Sequence, residues 1–123
     1  MSKAFDNLEA LEILEKNENS IKLAFLIPQT NPYFDGHFPG YPILPAVAQV
    51  DIVINFAVKH FGTSLAVSQI KRTKFTKIIT PSLSLLLVIE KNNDALNFKY
   101  TSPDGNEMYS GGTIYPASSK ENK

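Results

Sequence analysis

The sequence contains no cysteine among its 123 residues. That absence excludes a disulfide framework, thiolate metal sites and a cysteine nucleophile, and it fits a reducing compartment. Net charge is missing too, since twelve basic side chains balance twelve acidic ones. Proteins held to nucleic acid by phosphate neutralisation are clearly basic, so no nucleic-acid partner is expected. No apolar run reaches the roughly 18 residues of a membrane helix, and Met1-Ser2-Lys3-Ala4-Phe5-Asp6 lacks the apolar centre of a secretory signal. The expectation is a cytoplasmic protein with no membrane span. No serine stands in a Gly-x-Ser-x-Gly turn, Gly111-Gly112 sits inside a strand-like run and not in a phosphate loop, and His37 lacks a second histidine at metal-binding spacing. Neither a metal nor another cofactor is expected.

What is present is a chain with 43% hydrophobic residues, enough for one core. One domain over residues 1–116 is expected, with a polar, frayed tail at Ala117-Ser118-Ser119-Lys120-Glu121-Asn122-Lys123. Charge is unevenly spread. Ile52 to Ile89 holds no acid but carries Lys59, Lys71, Arg72, Lys74 and Lys77, whereas the first eighteen residues lean acidic. Such a basic segment is either a solvated face or a docking site for an acidic partner.

Leu44 to Phe61 is too long for a strand and apolar on every side, which predicts a buried helix. Pro42 and Pro45 mark its start and Gly62 its stop. Strand-like runs follow at Leu65 to Thr76, Leu83 to Glu90, Ala95 to Thr101 and Glu107 to Tyr115, with turn residues between them. Before the helix, Ser20 to Ile27 reads as a strand. Phe5, Leu8, Leu11 and Leu14 recur every three residues as in a helix, but the following turn at Asn17-Glu18-Asn19 favours a strand from about residue 10. An α+β fold is expected, with an antiparallel sheet wrapped around one long helix at about 44–61.

Asp51 is the only charged residue in that helix before Lys59. A carboxylate among Val50, Ile52 and Val53 is costly unless hydrogen-bonded or protonated, which suits a functional acid. Asn55 is four residues on, on the same helical face, where its amide could hold the Asp51 carboxyl. His37 lies in Phe34-Asp35-Gly36-His37-Phe38-Pro39-Gly40-Tyr41-Pro42, an irregular loop suited to a proton-accepting imidazole. His60, in the last helical turn, reads as structural.

Residues 33–57, which run Tyr-Phe-Asp-Gly-His-Phe-Pro-Gly-Tyr-Pro-Ile-Leu-Pro-Ala-Val-Ala-Gln-Val-Asp-Ile-Val-Ile-Asn-Phe-Ala, resemble the active-site segment of the 3-hydroxyacyl-(acyl-carrier-protein) dehydratases. The likeness rests on the His-Phe-Pro loop, the acid fourteen residues after the histidine and the amide side chain four residues further. The wording is closest to the small branch that includes the aryl-polyene pathway dehydratases. Three positions depart from the family: Ala46 replaces the usual helix-opening glycine, Asn55 replaces glutamine, and the acid is aspartate.

The resemblance implies a hotdog fold and a role for each matching residue. His37 would take a C2 proton from a 3-hydroxyacyl thioester, and Asp51 would protonate the departing hydroxyl, giving a trans-2-enoyl thioester. The amides of Ala46 and Val47 would stabilise the thioester oxygen, and Asn55 would orient the acid. Asp51 lies six residues into a helix starting near Pro45, about 9 Å along the axis. The resemblance answers that separation with a homodimer whose two sites each take the histidine from one subunit and the acid from the other; it leaves higher assembly open. Lys71, Arg72, Lys74 and Lys77 would suit an acyl carrier protein. A hotdog thioester hydrolase and a non-catalytic acyl-binding hotdog protein remain the alternatives.

Overall fold

The computed structural model describes residues 5–34 and 43–117. Its elements are β1 (Glu9–Lys16), β2 (Ser20–Leu26), a 3-10 turn (Pro32–Phe34), α1 (Ala46–Phe61), β3 (Val67–Phe75), β4 (Leu85–Asn92), β5 (Ala95–Thr101) and β6 (Met108–Pro116). The strands form one antiparallel sheet in the order β1-β2-β4-β5-β6-β3. After α1 the chain therefore runs to the far edge as β3, then returns to the centre as β4. One sheet with one long helix is the hotdog architecture expected above. Residues 35–42, with Pro42 among them, and the expected tail from Ser118 lie outside the described residues.

Period-two alternation sets the buried face. Ile21, Leu23 and Phe25 on β2 stand opposite Ile89, Leu87 and Leu85 on β4, and Leu96, Phe98 and Tyr100 continue the face on β5. These side chains join Ile52, Val53, Phe56 and Ala57 of α1 in one core. Fully burying each large apolar side chain contributes about 1.5–3 kcal/mol, which fixes which face of the sheet meets the helix. Among the described residues, no helix is long and apolar enough to cross a membrane.

The three-residue spacing in the first strand has a local cause. β1 carries register shifts between Glu9 and Glu12 and between Ile13 and Glu15, and Ala10 has φ +55°. Each bulge inserts an extra residue and breaks the alternation, so a strand imitates a helical period. The helix also departs from expectation. Its middle is buried, but Ala46 is exposed and Val47 is 74% exposed, so the apolar sequence is not covered within the described chain at its first turn.

α1 ends as its sequence dictates. Gly62 takes the left-handed conformation, φ +70°, and its N–H donates to the Val58 carbonyl. His60 stacks on Phe56, and its pKa is lowered by partial burial first, then by Lys16 and Lys59. The neutral imidazole is favoured there, so the helix dipole is complemented mainly by Lys59.

Candidate active site

Pro45 provides no side-chain cap for α1, and its carbonyl accepts the Ala48 and Gln49 amides at 3.0 and 3.1 Å. The Ala46 and Val47 amides precede those first intrahelical bonds and point out of the helix start, where the dipole is positive. Asp51 follows Val47 by one turn on the same side of the helix and is half-buried, less enclosed than an all-apolar helix suggests.

The Asp51 carboxyl is held from outside the helix. The Tyr33 hydroxyl donates to Asp51 Oδ2 at 2.5 Å. Asn31, fully buried, braces the turn that carries Tyr33: its side-chain oxygen accepts the Tyr33 N–H at 2.8 Å, and its amide donates to the Asn7 carbonyl at 2.8 Å. Asn55 does not touch the carboxyl, contrary to expectation. Its Nδ2 donates to the Asp51 backbone carbonyl at 2.8 Å, because a side chain this short folds back onto its own helix. Asn55 Oδ1 is buried with no partner among the described residues.

The first turns of α1 are tied to the sheet through Gln49. Ser110 Oγ donates to Gln49 Oε1 at 2.6 Å, Gln49 Nε2 donates to the Leu44 carbonyl at 3.2 Å, and the Tyr100 hydroxyl donates to the Gln49 carbonyl at 2.7 Å. Burial, reinforced by Tyr33 and Asp51, pushes the Tyr100 pKa well above its ordinary value, so it stays a neutral donor. Sequence reading missed Tyr33, Gln49 and Tyr100. Gln49 alone left a signal, as a polar side chain inside an apolar helix.

An apolar recess of about 270 Å³ separates the first turns of α1 from β3, walled by Ala46, Val47, Val50, Ile70, Thr73 and Phe75. The outer edge of β3 has no strand partner among the described residues. The basic residues expected to act together do not share one surface. Lys71 and Lys74 pair with Thr113 and Gly111, on the sheet face turned away from the helix, and Arg72, at φ +56° in a β3 bulge, lines a depression of about 310 Å³ there with Lys74 and Lys99. Lys77 instead stands near the start of α1 and is ion-paired with Glu107. His37 lies outside the described residues.

The sequence model of the ApeI-like family, described as ApeI dehydratase, matches residues 13–113. The FabZ 3-hydroxyacyl-(acyl-carrier-protein) dehydratase of Pelotomaculum thermopropionicum is 34% identical over 71 residues, covering 52% of this chain and 51% of that enzyme. The FabZ of Lactobacillus helveticus is 27% identical over 113 residues, covering 71% and 76%. The chain spans about half the length of the first of these curated relatives. Among solved structures, the dehydratase heterocomplex ApeI:P from Xenorhabdus doucetiae superposes with a TM-score of 0.76 at 30% identity, over 87% of this chain and 95% of that one. The dehydratase domain of the CurF module of curacin polyketide synthase gives a TM-score of 0.63 at 19% identity, over 94% and 45%, and shares the fold.

Proposed function

We propose a reaction on one premise: the chain belongs to the ApeI-like dehydratase family. It removes water from a 3-hydroxyacyl thioester carried on an acyl carrier protein, leaving a trans-2-enoyl thioester for cytoplasmic fatty-acid or polyene-type synthesis. The observation that carries the reading is the position of Asp51, a tethered carboxyl one turn along the helix from Val47, whose side chain walls the apolar recess at the start of α1.

In this reading the thioester oxygen sits at the start of α1, where the two amides and the helix dipole stabilise the negative charge that develops. His37 accepts the C2 proton. The C3–O bond breaks as Asp51 gives its proton to the leaving oxygen, so one water departs and the C2–C3 double bond forms. Asn55 orients the acid indirectly, by fixing the backbone at Asp51. The open edge of β3 and the exposed Val47, Ile70 and Phe75 support a homodimer that covers the recess and brings the histidine of one subunit to the acid of the other. Of the four cations, Lys77 stands nearest the helix start and is the one suited to serve the acidic carrier there, while Lys71, Arg72 and Lys74 lie on the other face of the sheet.

Mass spectrometry of 3-hydroxyacyl thioesters incubated with wild type and with His37→Ala tests the proposal. Loss of one water with the thioester intact, abolished by the substitution, is expected. Release of free acid would identify a hydrolase, and no change in mass would identify an acyl-binding protein.

A further inference from the structure

We propose that Tyr33 is a positioning residue that decides which oxygen of Asp51 delivers the proton. The inference rests on Asp51 acting as the acid in the reaction above. A carboxyl is nearly symmetric about its terminal torsion, and its two oxygens exchange freely when nothing distinguishes them. Here the phenol of Tyr33 distinguishes them by donating its single hydrogen to Oδ2 at 2.5 Å. The carbonyl oxygen of a neutral carboxyl is a better acceptor than its hydroxyl oxygen, so this bond favours Oδ2 as the carbonyl and Oδ1 as the oxygen that carries the acidic proton.

The mount of the phenol is rigid enough for this task. Tyr33 lies in a 3-10 turn whose amides at Tyr33 and Phe34 are both bonded to Asn31, and Phe34 is buried beside it. Asn31 in turn bonds back to Pro28 and across to Asn7, so the turn is fixed from both sides. The other nearby phenol does not compete. Tyr100 gives its hydrogen to the Gln49 carbonyl at 2.7 Å, leaving Tyr33, among the described residues, as the phenol that addresses the acid. Asn55 is committed to the Asp51 backbone, so it constrains the main chain and not the carboxyl. The two oxygens of Asp51 therefore face different tasks. Oδ2 anchors, and Oδ1 reacts.

The test compares two leaving groups. A 3-hydroxyacyl thioester needs a proton on the departing oxygen, whereas in its 3-chloroacyl counterpart the C3–Cl bond breaks with the electron pair leaving as chloride, and only the C2 proton is transferred, to His37. Tyr33→Phe keeps the ring and removes the donor. With the hydroxy substrate that wild type dehydrates best, its kcat is expected to fall roughly tenfold to a hundredfold, the range for losing one hydrogen bond to the carboxylate charge that develops as Asp51 gives up its proton, with KM changed by less than about twofold. With the chloro substrate its rate should stay within about twofold of wild type, because no acid is required. Equal losses on both substrates would make Tyr33 merely structural and overturn the proposal, as would no loss on either. Asp51→Asn is measured alongside. If it slows both substrates equally, or neither, the reading of Asp51 as the acid fails, an outcome distinct from failure of Tyr33 alone. Thermal midpoints of both variants within a few degrees of wild type establish that the comparison is between folded proteins.

Discussion

The two halves of α1 contrast sharply in how they are held. In the C-terminal half, Ile52, Val53, Phe56 and Ala57 are at most 2% exposed, the rings of Phe5 and Phe25 pack on Phe56 with centroids 4.7 and 5.7 Å away, and Gly62 closes the end. In the N-terminal turn, Val47 is 74% exposed, two amides lack intrahelical partners, and Asp51 is held by a residue 18 positions earlier in the chain. Gln49 joins the halves by fastening the open turn to β6. The sealed half stabilises the fold, and the proposed reaction and the proposed second subunit both fall on the open half. Stability and function are thus separable along one helix, and substitutions in the two halves should have different signatures.

The largest expected effect is on the open half. Asp51→Asn should lower the dehydration rate roughly 10²- to 10⁴-fold, the usual contribution of a general acid, while leaving the urea unfolding midpoint close to wild type. On the sealed half, Phe56→Ala should cost about 3–5 kcal/mol by the loss of a buried ring and the cavity it leaves, measured by equilibrium urea unfolding. Gln49→Ala, at the junction, leaves the Ser110 hydroxyl buried without its acceptor. It should cost about 1–3 kcal/mol and also lower kcat, the one substitution here that affects both halves. At the cap, Gly62→Ala should cost about 1–2 kcal/mol with activity retained, because φ is +70° and an added Cβ meets nothing within 4 Å.

The smallest effect concerns pH. Folding lowers the His60 pKa below its ordinary 6.5, so as pH falls through that value the unfolded chain takes up the proton before the folded one. Stability associated with His60 is therefore complete above about pH 6.5 and lost as the pH falls toward the folded value. In thermal melts, His60→Gln should show a smaller drop in midpoint between about pH 7.5 and pH 5.5 than wild type.

Much of this arrangement was legible in the sequence, and the reasons for the rest are specific. The helix expected over Leu44–Phe61 forms over Ala46–Phe61, and the hairpins fall at the expected turns, because local patterning and Gly or Asn at positive φ are local signals. The position of β3 at the sheet edge, beyond β6, was not legible, since strand order depends on contacts between distant segments. The apolar first turn of α1 read as buried because hydropathy records what a surface prefers to touch, and in the described chain nothing covers Val47. At the site, Asp51 was identifiable as the candidate acid from its isolation among aliphatic residues. Its partner was not, because Tyr33 meets Asp51 only after the 3-10 turn is folded against the helix, and the proximity of Asn55 at i+4 suggested a contact that the shorter amide makes with the backbone instead.

The most direct test of the open half as one side of a shared site is complementation between inactive subunits. His37→Ala and Asp51→Asn chains, each inactive alone, are combined and the mixed dimers isolated by two affinity tags. One of the two sites in each mixed dimer then holds an intact His37 and an intact Asp51 from different chains. A shared site predicts dehydration at about half the wild-type rate per dimer. Mixed dimers no more active than their parents would contradict it and place both residues in the same subunit's site.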